Sequence, residues 1–153
     1  MLKNKKILIT GLLSKNSLAY GIAKAMHQQG AQLAFTYQVP ELETRVRKII
    51  SEFDSDLLFQ CDVSDDAQIA KVFIDLSKHW DRFDGLVHSI AFCTPDAFVG
   101  NFIDSVTRDN FKIAHDISSY SLAALSKAAL PMLNQGSSIL AISYDGSNKA
   151  VPG

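Results

Sequence analysis

Short runs rich in β-branched residues alternate along this chain with longer stretches in which apolar positions recur every three or four residues, a rhythm that predicts strands alternating with helices. Lys6-Ile-Leu-Ile-Thr10 is apolar on both faces, as a strand inside a parallel sheet must be. The stretch from Ala19 to Gln29 carries Ile22, Ala25 and Met26 at helical spacing, and Gly30 supplies the left-handed residue that ends it. Gln32 to Tyr37 reads as the second strand. Pro40 opens a helix running to about Phe53, with Leu42, Val46, Ile49 and Ile50 toward the sheet and Glu43, Arg45, Arg47 and Lys48 toward water. Leu57 to Cys61 forms a third strand, and Ser64-Asp65-Asp66 caps a helix continuing through Val72, Phe73, Leu76 and Trp80. Asp84-Gly85 turns into a fourth strand, Leu86 to Ile90, which leads into a loop extending to about Ser105. Thr107 then caps a long helix reaching Leu133, and Gly136 ends it before a fifth strand, Ser138 to Ser143.

This βαβαβαβαβ order predicts an α/β fold: a Rossmann-type, doubly wound parallel sheet with helices on both faces, built as a single dinucleotide-binding domain over residues 1–153. In such folds ligands collect beyond the carboxyl ends of the strands. The loop from Gly11 to Leu18 suits a phosphate, because Gly11 permits a tight turn and close approach while Ser17 can cap the helix and aim a hydroxyl, with the Leu18 N–H, at an anion. Gly21 is expected where helix and sheet pack closely. The literal G-x-G-x-x-G fingerprint is absent, so an ordinary serine-capped strand–loop–helix is the plain alternative.

Composition narrows the partners. With 153 residues, 47% hydrophobic and 20% charged, the chain can bury a substantial core. A formal charge of -1 provides no basic field for nucleic acid or an anionic membrane surface. The lysine-rich start and the apolar run after it are interrupted by Gly11 and Lys15, so they read as a lead into the first strand rather than a signal peptide. No stretch approaches the ~20 apolar residues of a membrane span. Cys61 and Cys93 share no metal-ligand or redox spacing, so no metal is expected, and the cysteines read as reduced thiols of a cytoplasmic protein.

The groups following the strands are Gly11 to Leu18, Gln38, Asp62-Val63, Ile90 to Cys93, and Ser143-Tyr144, which the topology brings to one crevice. Asp62 could accept from an adenine amino group and Val63 could present its N–H to a ring nitrogen, although an aspartate after a strand is equally a helix-entry residue. Gln38 stands where many dinucleotide folds carry a ribose-binding acid, and no Arg or Lys follows it directly, which favours the cofactor without a 2′-phosphate. His88, His115 and Asp116 lie within a buried strand and a helix, which favours structural roles.

Five segments carry a resemblance: Ser17-Leu-Ala-Tyr-Gly-Ile-Ala23, Leu33-Ala-Phe-Thr-Tyr-Gln38, Gln60-Cys-Asp-Val63, Phe83-Asp-Gly-Leu-Val-His-Ser-Ile-Ala91 and Phe111-Lys-Ile-Ala-His-Asp-Ile-Ser-Ser-Tyr-Ser121. They resemble the bacterial NADH-dependent enoyl-[acyl-carrier-protein] reductases, divergent short-chain dehydrogenase/reductases. The resemblance implies an oxidoreductase of fatty acid biosynthesis that uses NADH to reduce the trans-2 double bond of an enoyl thioester on acyl carrier protein. It further implies that Gly11, Ser17 and Leu18 hold the pyrophosphate region, Gln38 lies by the adenosine end, Asp62 and Val63 take adenine, Ile90 backs the nicotinamide, Cys93 touches substrate, and Tyr144 is the first of two active-site tyrosines. The family's second tyrosine, its lysine seven residues later and its last strands fall after Val151-Pro152-Gly153, so the 153-residue chain by itself is expected to lack turnover. A homotetramer is implied as well. A ketoacyl reductase of the same superfamily and a non-catalytic dinucleotide sensor are the alternatives.

Overall fold

The computed structural model describes residues 1–149, so Val151-Pro152-Gly153 lies outside the described residues. Five strands, β1 (Lys6–Ile9), β2 (Gln32–Tyr37), β3 (Leu58–Gln60), β4 (Phe83–His88) and β5 (Leu133–Ala141), form one all-parallel sheet in the order β3-β2-β1-β4-β5. The chain walks outward from β1 to β3 and then returns to the other side of β1 as β4. That reversal puts the topological switch point, where a ligand crevice opens, between the carboxyl ends of β1 and β4.

Alternation along the strands builds a core on each face. Ile7 and Ile9 of β1 and Leu33, Phe35 and Tyr37 of β2 point to one side, where α1 (Leu18–Gln28) and α2 (Glu43–Ile50) deliver Ala19, Ala23, Val46, Ile49 and Ile50. Leu8 and Ala34 point to the other, against Ile69, Val72, Phe73 and Leu76 of α3 (Asp66–Leu76) and Leu125 and Ala129 of α6 (Ser121–Ala129). Between β4 and α6 come a 3₁₀ turn (Pro95–Phe98), α4 (Phe102–Ser105), α5 (Arg108–His115) and a π turn (Asp116–Tyr120).

The local signals read from sequence hold at several joints. Asp65 caps α3 by accepting the Ala67 and Gln68 N–H groups, and Thr107 and Asn110 close a reciprocal capping box at α5. Gly11 and Gly30 both take positive φ.

Several expectations are corrected. Asp84 and Gly85 lie inside β4 rather than in a turn before it, and β5 begins at Leu133 and ends at Ala141 rather than running from Ser138 to Ser143. The helix predicted from Thr107 to Leu133 is interrupted by the π turn and ends at Ala129, because Pro131 has no N–H to donate to the ladder and its ring crowds the preceding turn; Leu130 keeps helical dihedrals within the 3₁₀ turn (Leu130–Met132) that follows. Gly136 is therefore no helix terminator: with φ +77° it lies inside β5, where the register against β4 jumps from Phe83↔Leu133 to Gly85↔Ser138 and the strand bulges. Gly21 is exposed, and a Cβ placed on it would meet nothing within 4 Å; Ala19 and Ala23 make the close contact of α1 with the sheet instead.

Candidate functional site

The crevice at the switch point is lined by Gly11, Leu13, Thr36, Tyr37, Gln38, Cys61, Val63, Ser89, Ile90, Ala91, Phe92 and Ile117. Four of the residues expected at a nucleotide site, Gly11, Gln38, Val63 and Ile90, thus share one cleft. Its narrowest point is backbone against backbone. A Cβ built on Gly11 would stand 1.9 Å from the Ser89 carbonyl oxygen, so only a hydrogen at this position leaves the β1 and β4 ends as close as they are.

Asp62 stands at the rim rather than in the wall. Its carboxylate accepts the Ser64 N–H at 3.0 Å and the Ser64 hydroxyl at 2.7 Å, and the Gln38 amide reaches it at 3.4 Å. The Ser64 N–H, more than any other group, holds its carboxyl below the usual aspartate range. Asp62 therefore serves as a helix-entry turn residue, and its bond from the Gln38 amide ties the ends of β2 and β3 together at the rim. Burial pushes the neighbouring Cys61 thiol up to about 12, which keeps it an unreactive wall group.

Ser17 occupies the cap position of α1, but its hydroxyl donates to the Ser14 carbonyl at 2.6 Å and makes no side-chain cap. With that proton committed inside the loop, the anion-binding capacity of the segment falls to main-chain amides, those of Leu18 and Ala19 in the first turn, which have no helical carbonyl four residues before them to donate to. Neither Ser17 nor Leu18 lines the cleft.

Cys93 and Tyr144 meet elsewhere. They line a depression beside the cleft together with Phe98, Phe102, Val106, Phe111, Ala114 and His115, a predominantly apolar set suited to an acyl chain. Ala91 and Phe92 line the cleft and also a shallower recess that shares Cys93, Phe98, Ala114 and His115 with this depression, so the segment Ala91–Cys93 is the partition between the nucleotide cleft and the apolar surface. Tyr144 itself is exposed.

The histidines separate as expected from sequence. His88 is buried, and its Nε2 lies 2.8 Å from the Ser121 hydroxyl. Since that hydroxyl donates to the Ile117 carbonyl at 2.6 Å, His88 is the donor through Nε2–H. Loss of hydration holds its pKa below the usual imidazole value. An unfolded histidine protonates near pH 6.5, so the stability carried by neutral His88 is complete above about that pH and is lost as pH falls through the lower folded value. Thermal unfolding followed from pH 7 to about pH 5 is expected to show a declining midpoint, with a His88→Gln variant showing a flatter decline. His115 stacks on Phe111 with ring centroids 4.1 Å apart, and its Nδ1 lies 3.0 Å from the Phe111 carbonyl, which fixes it as part of the apolar wall.

Reading the sequence missed Thr10, Ser89, Ile117 and Ser118. Thr10, a polar residue ending a buried strand, carried a legible signal; its side chain is fully buried and donates to the Val87 carbonyl at 3.1 Å. The cleft residues fit a dinucleotide: an all-backbone constriction at Gly11, polar groups at Gln38 and Asp62 on one flank, and an apolar flank at Ile90 and Ile117. Among the described residues no group of three or more acidic, cysteine or histidine side chains converges as a metal site, and no helix is long and apolar enough to cross a membrane.

A parallel sheet wound both ways with a cleft at its switch point defines a Rossmann-type α/β fold. Residues 11–153 match the family model described as enoyl-(acyl carrier protein) reductase, and the chain belongs to that family. It is 57% identical over 152 residues to the enoyl-[acyl-carrier-protein] reductase [NADH] of Neisseria meningitidis, covering 99% of this chain and 58% of that protein. The corresponding Escherichia coli reductase is 52% identical over 151 residues, again covering 99% of this chain and 58% of the relative. Among solved structures, the Aquifex aeolicus enoyl-[acyl-carrier-protein] reductase (NADH) superposes with a TM-score of 0.95 at 48% identity, covering 99% of this chain and 59% of that one. The reductase of Anaplasma phagocytophilum, solved in complex with NAD, gives 0.94 at 36% identity, covering 99% and 57%. The chain thus spans a little under three-fifths of the length of these relatives.

Proposed function

We propose that this chain forms the cofactor-binding part of an NADH-dependent enoyl-[acyl-carrier-protein] reductase, which reduces the trans-2 double bond of an enoyl thioester in fatty acid biosynthesis. The observation that carries the reading is the partition Ala91–Cys93, with a nucleotide cleft on one side and an apolar surface on the other. Gly11 and the Leu18 amide hold the diphosphate region, with Ser17 shaping the loop; Gln38, Asp62 and Val63 take the adenosine end, and Ile90 backs the nicotinamide. The absence of a cation immediately after Gln38 supports NADH over its 2′-phosphorylated form.

Bound NADH supplies the hydride. The chain's own contribution is to seat the acyl chain against Cys93 and Phe98 and to exclude water from it. As negative charge grows on the thioester oxygen, the Tyr144 hydroxyl contributes a hydrogen-bond donor, which matters more in that state than in the ground state. The protein works in the cytoplasm, as its free Cys61 and Cys93 favour, and it assembles as a homotetramer through the exposed apolar residues Phe111, Ile113, Tyr120 and Leu130 of the α5–α6 region.

The test is a fluorescence titration of the natural gene product with NADH, followed by steady-state turnover of a crotonyl or longer enoyl thioester. Saturable NADH binding and turnover are expected. Tyr144→Phe is expected to lower kcat about tenfold, one hydrogen-bond donor being lost, with the Kd for NADH unchanged. NADH binding that persists with no turnover of any enoyl thioester would instead identify a dinucleotide sensor.

A further inference from the structure

Strand pairing between β4 and β5 ends at His88↔Ala141, and the next five residues, Ser89 to Cys93, lead into and include the partition Ala91–Cys93 described above. Two hydroxyls hold that segment where the sheet no longer does. At its start, Thr10 Oγ1 accepts the Ser89 N–H at 3.3 Å while donating to Val87. Near its end, Ser118 Oγ accepts the Phe92 N–H at 3.0 Å and donates to the Phe92 carbonyl at 3.2 Å. One side chain thereby satisfies both main-chain groups of one residue, which a hydroxyl can do and a methyl cannot.

Ser118 reaches Phe92 from within the π turn. The same turn sends Ile117 into the cleft lining, and Ser121, three residues on from Ser118, ties the helix to His88. π turns inserted in α-helices recur at functional sites because they redirect side chains that a regular helix would aim elsewhere. Here the redirected residues are the ones that touch the β4 end.

We infer that Ser118 is a positioning residue: by clamping the Phe92 main chain it fixes the partition between the nucleotide cleft and the apolar surface, and so sets how the enoyl chain lies relative to the cofactor. The inference rests on the reading of the protein as an enoyl thioester reductase. The clamp is solvent-exposed and adds little to stability, whereas a displacement of about 1 Å in a reacting pair can cost about 100-fold in rate. The Ser121 bond to His88 has the opposite character, since Ser121 is fully buried and lies outside the partition.

Three variants of the natural gene product separate these roles. Ser118→Ala is expected to lower kcat/KM for a trans-2-octenoyl thioester by about tenfold or more while the Kd for NADH stays within about twofold. Hydrogen exchange at the Phe92 amide accelerates in the same variant. Ser118→Thr, which keeps the hydroxyl, returns kcat/KM to within about threefold of wild type. Ser121→Ala lowers the unfolding temperature and leaves kcat/KM near wild type. The inference is overturned if active wild-type protein and Ser118→Ala have the same kcat/KM, if Phe92 exchange is unaltered, or if Ser121→Ala loses kcat/KM to the same extent. Wild-type protein that fails to turn over the thioester overturns the functional reading itself and the positioning role with it.

Discussion

Gly11→Ala is expected to weaken NADH binding by at least about tenfold and to destabilise the fold by roughly 2–4 kcal/mol. Two costs coincide at this residue. Its φ of +80° is a conformation that costs an L-residue about 1–2 kcal/mol. The added methyl would also lie 1.9 Å from the Ser89 carbonyl oxygen, and because that atom belongs to the main chain leading into the partition, no side-chain rotation relieves the overlap. The β1–α1 loop and the β4 end must separate, opening the cleft at its constriction. Gly21→Ala is the matched control: it is exposed within α1 with open space around it, so the same chemical change is expected to stabilise by about 0.5–1 kcal/mol and leave NADH affinity intact. Chemical denaturation combined with an NADH titration measures both. Equal behaviour of the two variants would refute the role given to the constriction.

Phe35→Ala is expected to be the costliest core change, at about 3–5 kcal/mol, lowering Tm by roughly 10 °C. Phe35 lies on β2 beside Ile9 in the sheet register, is fully buried, and stacks on Phe53 with ring centroids 5.8 Å apart and planes at 28°. It joins the sheet to the end of α2 and the 3₁₀ turn after it, where neighbours are fixed by the sheet and cannot collapse into the space left. Phe35→Leu, which retains most of the volume, is expected to lose less than half as much. Since Tyr37 ends the same strand, Gln38 follows it directly and both line the cleft, NADH should protect the alanine variant less than wild type in a thermal-shift measurement.

Much of this architecture was legible from local chemistry. The strand positions follow from short apolar runs, α3 from Asp65 and α5 from Thr107, and the parallel order from strands separated by helices. Errors arose where two signals competed or where the answer lay in a distant contact. Gly136 resembles a helix terminator, but Pro131 had already ended the helix and Gly136 serves the bulge in β5. Ser17 has the right identity and backbone for a cap, yet the Ser14 carbonyl takes its proton. Gly21 belongs to a motif whose spacing implies tight packing, while its side of the helix faces water.

For the site, the residues after each strand were identifiable because a parallel sheet sends all its carboxyl ends to one edge. Gly11, Gln38, Val63 and Ile90 meet there, and Cys93 and Tyr144 meet on the adjoining apolar surface. A polar Thr10 ending a buried strand was a legible signal, but its partner was not, and Ser118 gave no signal at all, because the two hydroxyls act on main chain 79 and 26 residues away respectively.

By itself the amino-acid sequence determined which segments become strands and helices, their order, and thereby the class of fold, since periodicity, capping and turn chemistry act within a few residues. Tertiary structure alone decided that Gly11 touches Ser89, that a π turn breaks the long helix, and that two hydroxyls hold the partition between nucleotide cleft and apolar surface. Those features are contacts between segments far apart in the chain, and their geometry exists only once the sheet has brought the strand ends together.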